Sequence, residues 1–594
     1  MRKIFKTVIL SACLLAAGCD LDRPPLNGPE TGTFPASEEE ALLGLFGAYK
    51  GLSLMTAANT PWILVIDNST DIGFTRPGGN YTPQLTSALS ASNTLTTKLW
   101  ESCYKTIGRV HVVLDKLPNI KDNSELYDQI NAELRVIRAY YYSHLTEFYG
   151  DVPLVTRNLP IEEAALLRRT PKAEVTQWII DELSAVADHL PVKHTGYGTA
   201  RAGRVAAYAL LARIQLNDGR YGDAAQSAAT AIALAEGVYG LDKYDLTHFA
   251  DHKAGEPSCA NVFGYEGHRS SKEWIWCIQY NRNIDSNSHM QGYYMSTRLS
   301  GGCSYFGPTQ GMMDSFQCID GKSIAESPLF DLAHPWENRD PRLDLFTVRP
   351  ESRYFGFEFQ TADDSTAWVY NWNADKTEVI DSVVTRQYAY SYQPNPNSPS
   401  GYVGGVPNTD STNGYATFSG YHWRKHTDIA DLADNQHSDL NSGIIRYAEL
   451  LLVYAEAKIE NNDIDESVYT AIDDIRTRAG MPSIGRGLSQ SQLRTALRYE
   501  RKIELCNEGL RWYDIRRWKI AERIMVGRLW GSNKSGLSDI IPTFDENWSP
   551  SYPISGHHLR NLVTMRFNPQ RDYVWPVPHT ERLVMPNLDQ NYGY

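Results

Sequence analysis

The spacing of apolar residues predicts a largely helical chain. Within residues 98–150 the apolar positions recur at intervals of three and four, which places them on one helix face. These positions include Leu134, Ile137, Tyr141, Leu145 and Phe148. Gly150 and Pro153 should end this helical stretch, since neither residue type continues a helix readily. The next helix is expected to begin at Thr170-Pro171 and to end at Pro191.

Two helix–turn–helix patterns lie far apart along the chain. The first occupies residues 203–236, and a weaker echo of it follows 243 residues later. Small residues and a Gly or Asn at the turn repeat between the two, as in a tetratricopeptide helix pair. The first copy has Ala212, Gly219, Tyr221, Ala224, Ala228 and Ile232, which align with Ala455, Asn462, Ile464, Ser467, Ala471 and Ile475. A long insert separates the pairs, so the sequence does not predict one uninterrupted array.

The segment between the two pairs has a different character. Residues 354–423 contain 15 aromatic residues, and the same stretch is rich in Pro, Asn, Ser and Gly, which do not sustain regular helices. We therefore expect long loops and short strands here, set on a helical scaffold. The predicted organisation is 38–250 and 441–594 as helical parts, with 251–440 as a loop-rich insert that contributes to a ligand-binding face.

The first residues resemble a bacterial lipoprotein signal. Arg2, Lys3 and Lys6 precede an apolar stretch at 8–17, which is too short to span a bilayer. Small residues then lead to Cys19, which predicts removal of residues 1–18 and lipidation of Cys19. An ordinary secretory signal with an incidental cysteine is the alternative. Residues 19–37 have the composition of a flexible tether, and no second long apolar run follows, so we expect a lipid-anchored protein.

Composition and charge narrow the functional classes. With 57 basic and 70 acidic side chains, the net charge of −13 argues against a nucleic-acid-binding scaffold. No C-x-x-C motif is present, which disfavours a zinc or thioredoxin-like site. Export would permit disulfides, and Cys259–Cys277 and Cys303–Cys318 are the nearest pairs, although buried free thiols fit the sequence equally well.

Familiar catalytic and metal-binding motifs are missing from the sequence. It contains neither H-E-x-x-H nor G-x-S-x-G, and His422 and His426 lack both a helical period and an intervening Glu. We therefore expect no catalytic residue, no metal ligand and no cofactor, while bound calcium is left open. Paired carboxylates for glycoside hydrolysis are also left open, because sequence gives no separation in space.

Aromatic loops supply the candidate binding residues. Aromatic rings can stack on the C–H faces of sugars, and flanking Asn and Arg side chains can bind sugar hydroxyls. One loop combines such rings with Gly and Arg, a second is rich in Tyr, and a third lies in the insert. The candidate glycan-binding residues are Phe74, Arg76, Asn80 and Tyr81 in the first loop, Tyr293, Tyr305 and Phe306 in the second, and Trp372 in the insert.

Several segments of the mature chain resemble the SusD/RagB family of Bacteroidetes surface lipoproteins. They include LRVIRAYYYSHLTEFYGDVPLV, GRVAAYALLARIQL, NRDPRLDLF, RYAELLLVYAEAK and, most specifically, ALRYERKIELCNEGLRWYDIRRW. In the last segment Glu500, Glu504, Glu508 and Arg511 follow the family pattern at spacings of three to four. We read them as a charge-laced helix face and as scaffold residues.

The resemblance implies a predominantly α fold: a scaffold of tetratricopeptide-like helix pairs with a loop-rich, irregular ligand-binding lobe. It also implies a non-enzymatic lipoprotein of the outer membrane, facing the cell exterior, that passes captured oligosaccharide or polysaccharide to a SusC-like TonB-dependent transporter. A peptide-binding lid on the same type of transporter and a lipid-anchored glycosidase are the alternative functions.

Overall fold

The architecture is a helical body decorated with small antiparallel sheets. The computed structural model describes residues 34–53, 59–76, 81–120, 124–197, 199–244, 262–284, 287–298, 300–354, 357–361, 369–372, 379–383, 390–394, 402–407, 409–412, 416–432, 434–532 and 538–594. For the four strands that lie between residues 369 and 407, the structure describes the backbone and not the side chains.

Helices account for most of the regular structure in the described residues. In the first half they are α1 (Glu38–Gly51), α2 (Trp62–Ile66), α3 (Thr82–Leu85), α4 (Thr94–Leu114), α5 (Ser124–Tyr149), α6 (Ile161–Ala164), α7 (Lys172–Val186), α8 (Arg204–Asn217), α9 (Tyr221–Ala235), α10 (Tyr265–Ser270) and α11 (Gln291–Met295). Beyond residue 300 they are α12 (Gln310–Ser315), α13 (Arg342–Phe346), α14 (Thr409–Thr412), α15 (Tyr447–Glu460), α16 (Glu466–Arg478), α17 (Gln490–Glu504), α18 (Arg511–Arg517), α19 (Ala521–Ile524) and α20 (His579–Val584).

The strands are short and pair antiparallel. They are β1 (Gly73–Thr75), β2 (Trp274–Ile278), β3 (Phe306–Pro308), β4 (Thr347–Val348), β5 (Arg353–Tyr354), β6 (Phe357–Glu358), β7 (Val369–Trp372), β8 (Val379–Val383), β9 (Tyr390–Pro394), β10 (Tyr402–Pro407), β11 (His422–Trp423), β12 (Ser442–Arg446), β13 (Gly527–Gly531), β14 (Thr543–Phe544), β15 (Pro550–Ser551) and β16 (Arg560–Met565). The two-stranded sheets are β1–β3, β2–β12, β4–β11, β9–β10, β13–β16 and β14–β15, and β5–β6–β7–β8 form a four-stranded sheet. In the described residues of the insert, loops and short strands accompany the short helices α10 to α14.

The helix predicted over 98–150 is two helices, α4 and α5. Asn93 caps α4 by accepting a hydrogen bond from the backbone N–H of Leu95 at 2.9 Å. The predicted apolar face of α5 is fully buried at Leu134, Ile137, Tyr141, Leu145 and Phe148. Gly150 follows α5 with a φ of +72°, a left-handed conformation that suits glycine at a helix end.

The two tetratricopeptide-like pairs are neighbours in space. The first pair is α8 and α9, the second is α15 and α16, and α9 packs directly against α15. Ala224, Ala228 and Ala455 are fully buried in these helices, as their role in close helix packing requires. The insert therefore interrupts the array along the chain without separating its helices.

Gly443 of β12 allows a close approach to Trp274 of β2. A Cβ at position 443 would overlap the six-membered ring of Trp274, which is itself 2% exposed. We expect Gly443→Ala to lower the free energy of unfolding by about 1–3 kcal/mol, because the buried indole has no room to move. Chemical denaturation measures this loss.

Gly47→Ala in α1 is the matched control, since a Cβ there meets no atom within 4 Å. Alanine is a better helix former than glycine, so this variant should be as stable as the unmodified protein or more stable by about 1 kcal/mol. Equal stability of the two variants would contradict the packing described for Gly443.

The charged residues around α17 form a buried network. Glu500 and Glu504 are fully buried and bind arginines from distant segments, so the predicted charge-laced helix face is directed into the protein interior. Spacing along a helix identifies a shared face but does not tell what covers it. Their assignment as scaffold residues agrees with this burial.

Glu504 lies at the centre of this network. It binds Arg342 at 3.1 Å, Arg446 at 2.9 Å and Arg478 at 2.5 Å, and Arg342 also pairs with Glu500. Burial raises the pKa of Glu504, but the surrounding cations outweigh that effect and hold the pKa of this carboxyl well below its ordinary value. The network consists of Arg342, Lys425, Arg446, Arg476, Arg478, Glu273, Asp340, Glu500, Glu504 and Glu508. Its formal charges cancel.

The described cysteines are buried free thiols: Cys103, Cys277, Cys303, Cys318 and Cys506. The considered Cys303–Cys318 and Cys259–Cys277 disulfides are thus not formed at the described positions, and Cys259 itself lies outside the described residues.

No set of three or more potential metal ligands converges within the described ranges. Among the helices of those ranges, none combines the length and the apolar character needed to span a bilayer.

Candidate functional site

The pairing of β1 with β3 brings the two predicted binding loops together. Thr75 is opposite Phe306 in the register, and the backbone N–H of Arg76 donates to the carbonyl oxygen of Tyr305 at 3.2 Å. Arg76 and Tyr305 are more than 200 positions apart in sequence, yet this pairing makes them neighbours.

The second loop folds back on itself and presents its tyrosines side by side. The backbone N–H of Tyr305 donates to the carbonyl oxygen of Tyr294 at 2.9 Å, and that of Cys303 donates to Tyr293 at 2.8 Å. Gly302 makes this close return possible, because a Cβ there would overlap the carbonyl group of Ser296.

The solvent-facing part of this surface consists of three half-buried tyrosines, Tyr293, Tyr294 and Tyr305. We call these three residues the tyrosine cluster. The ring centroids of Tyr293 and Tyr294 are 5.4 Å apart, and those of Tyr294 and Tyr305 are 5.5 Å apart, both edge to face. Among the described residues, their hydroxyls have no hydrogen-bond partner. They are therefore available to hydroxyl groups of a ligand.

Arg76 fixes one side of the tyrosine cluster. Its Nη2 donates to the carbonyl oxygen of Cys303 at 2.6 Å, and its guanidinium carbon lies 5.7 Å from the ring centroid of Tyr305. Burial raises the pKa of the Tyr305 phenol, although the charge of Arg76 opposes this shift. Burial likewise raises the pKa of Tyr294. These phenols stay neutral at physiological pH and can both donate and accept hydrogen bonds.

The structure buries the three other described aromatic candidates, and two of them lie beneath the tyrosine cluster. Phe306 is 2% exposed and Tyr81 is 5% exposed, and their rings support Tyr305 at centroid distances of 5.1 and 6.3 Å. Phe74 is 2% exposed and packs in a separate apolar group with Leu85 and Ile515. These rings have no open face for a ligand and act as support.

Three sequence-predicted residues fall outside this description. Cys19 and Asn80 lie outside the described residues, and Trp372 ends β7, of which the backbone is described. Their predicted roles in lipidation and glycan binding stay predictions.

Sequence reasoning missed two residues beside Arg76. The ring centroid of Phe418 lies 5.9 Å from the Arg76 guanidinium and 4.8 Å from that of Arg560, so the ring sits between two cations. Phe418 belongs to the aromatic-rich insert, and the density of rings there was a signal for its segment. Arg560 lies in the C-terminal part with no distinguishing pattern around it.

Asp71, the acidic residue just before β1, forms an ion pair with Arg511 of the helical scaffold. The Asp71 carboxylate accepts hydrogen bonds from Nε and Nη2 of Arg511 at 2.9 and 2.8 Å. Burial raises the pKa of Asp71, but Arg511 and Lys502 prevail and lower it overall. The surface therefore offers neutral rings, phenol hydroxyls and cations, which suits stacking and hydrogen bonding with a polyhydroxylated ligand.

Comparison with known proteins gives the family. A model described as the SusD family matches residues 272–594, and a model described as "Starch-binding associating with outer membrane" matches residues 65–216. SusD-like protein P2 of Formosa agariphila is 25% identical over 585 residues, covering 96% of this chain and 99% of the relative.

Solved structures agree over nearly the whole length. A SusD-like carbohydrate binding protein from Bacteroides fragilis has a TM-score of 0.74 at 25% identity, covering 94% of this chain and 100% of that chain. A laminarin binding SusD-like protein shares the fold, with a TM-score of 0.59 at 18% identity and coverage of 94% and 100%. The predicted helical fold is thereby confirmed, and the chain belongs to the SusD family.

Proposed function

We propose that this protein is a cell-surface lipoprotein that captures oligosaccharides at the tyrosine cluster and passes them to a SusC-like TonB-dependent transporter. The observation that carries the proposal is the arrangement of Tyr293, Tyr294, Tyr305 and Arg76 on one surface, with unengaged phenol hydroxyls. Rings and hydroxyls together match the two faces of a sugar, one apolar and one polar.

The comparisons support the location and the ligand class. The model described as "Starch-binding associating with outer membrane" matches residues 65–216, a range that contains Arg76. Two structures with this fold are named for carbohydrate or laminarin binding. A lipid anchor at Cys19 would keep the protein at the outer membrane, facing outward.

A panel of starch, laminarin and plant and microbial polysaccharides tests the proposal. We expect the purified protein to be retarded in gels that contain at least one of these polymers and to release no reducing ends from any of them. Retention by none of the polymers, or release of reducing ends, would contradict the proposal. Co-purification with a membrane-embedded β-barrel tests the transporter separately.

A further inference from the structure

A cleft of about 550 Å³ lies beside β13 and the segment 545–554, away from the tyrosine cluster. Its volume falls within the range of about 300–1,000 Å³ that is usual for ligand pockets. The residues that decide its chemistry are Arg523, Arg528, Trp530, Asp545, Ser551 and Tyr552.

The aromatic wall of the cleft is held in place. The Tyr552 hydroxyl donates to Oδ2 of the buried Asp314 at 2.5 Å, and Trp530 packs edge to face against Tyr552 at 6.5 Å. Val526 and Ile554, which are 41% and 78% exposed, add apolar surface. The cleft is thus a preformed cavity with apolar and aromatic sides.

The charges that line the cleft leave one cation uncommitted. Arg523 pairs with Glu546 at 2.8 Å, and Asp545 accepts the backbone N–H groups of Asn547 and Ser549 at 2.8 and 2.9 Å. Asp71 is bound by Arg511. Arg528 donates to the neutral carbonyl oxygen of Ile554 at 3.2 Å and, within the described residues, has no acidic partner.

Arg528 is also placed to reach a ligand. Its side chain is exposed, and its guanidinium carbon lies 5.5 Å from the ring centroid of Trp530. A guanidinium with free N–H groups beside an aromatic wall is suited to bind a carboxylate or sulfate group in bidentate fashion.

We propose that this cleft is a second saccharide subsite, which recognises a carboxylate or sulfate group on the glycan through Arg528. The inference rests on the proposed function and deepens it by assigning an acidic class of glycan. The protein as a whole carries −13, but charges beyond about 8–10 Å are largely screened at physiological salt, so the local cation governs binding.

The β13–β16 sheet connects the cleft with the tyrosine cluster. At one end of β13, Gly527 pairs with Met565, which lines the cleft. At the other end, Gly531 pairs with Arg560. The Arg560 side chain stacks on Phe418, whose ring also lies beside Arg76. The four residue steps between these ends correspond to roughly 13 Å. From Gly531 the contacts continue through Arg560, Phe418 and Arg76 to Tyr305, so a continuous series of contacts links the cleft to the tyrosine cluster.

Arg528→Gln tests the assignment, with Arg157→Gln as the matched control, since Arg157 is an exposed arginine elsewhere on the surface. Isothermal titration would compare oligogalacturonate, a sulfated galactan oligosaccharide and neutral laminarin oligosaccharide. We expect Arg528→Gln to weaken binding of at least one acidic ligand about tenfold and to leave laminarin binding unchanged. In high salt the unmodified protein and the variant should bind the acidic ligand with similar affinity, because salt screens the charge of Arg528.

The possible failures are distinguishable. Binding of laminarin without either acidic ligand, or equal weakening by Arg157→Gln, would overturn the subsite and leave the proposed function standing. No binding of any saccharide would contradict the proposed function as well. Ser551→Trp is a second variant, because an indole at this exposed position would fill the cleft. It should abolish the preference for the acidic ligand, and an unchanged preference would overturn the subsite.

Discussion

Glu504→Ala is expected to lower the free energy of unfolding by about 3–5 kcal/mol, because breaking a buried ion pair leaves its partners uncompensated. Arg342, Arg446 and Arg478 all bind this carboxylate, and each of them is almost completely buried. Removing the shared acid weakens all three interactions and leaves the buried network with one uncompensated positive charge. Urea denaturation followed by circular dichroism measures the loss.

The matched control is Glu163→Ala. Glu163 pairs with Arg157, but both side chains are half exposed, so solvent screens the interaction and the expected change is within about 1 kcal/mol. Comparable losses for Glu504→Ala and Glu163→Ala would show that the network around α17 does not stabilise the fold as described.

The second large effect concerns binding. The double variant Tyr294→Ala/Tyr305→Ala should weaken glycan binding by about five- to 150-fold, if each ring contributes about 0.5–1.5 kcal/mol. These rings are half-buried, so the fold should survive their loss. Titration with whichever oligosaccharide the unmodified protein retains measures the effect.

Tyr592→Ala is the control for ring removal, since Tyr592 is 76% exposed and is not part of the tyrosine cluster. Phe74→Ala is unsuitable as a binding probe, because Phe74 lies in the core and its removal should cost about 3–5 kcal/mol of stability. Unchanged affinity in the tyrosine double variant, or an equal loss for Tyr592→Ala, would remove the assignment of the site.

The parts of the fold that could be predicted from the sequence are those whose pattern of apolar or small residues repeats within a short segment. The buried face of α5 and the two helix pairs each have a period that can be read within one short segment. The ion pairs around Glu504 have no such period, since Arg342 and Glu500 are 158 positions apart and Arg446 and Glu273 are 173 apart. Which segments meet is decided by the packing of the whole chain.

For the candidate site, the sequence predicted the two loops but not how they pair. Composition identified both loops, because dense rings beside Gly and Arg are unusual in a scaffold. It did not show that β1 would pair with β3, or that Phe74 and Phe306 would be buried while Tyr305 stays half-exposed. Arg560 came from a segment with no comparable signal.

The central claim is that the tyrosine cluster holds a sugar without cleaving it. A crystal structure of the protein with an intact oligosaccharide from the panel tests this most directly. We predict an uncleaved sugar ring against Tyr294 or Tyr305, with its hydroxyls bonded to the phenols and Arg76. A sugar bound elsewhere with the tyrosine cluster empty, or a cleaved product in its place, would contradict the account.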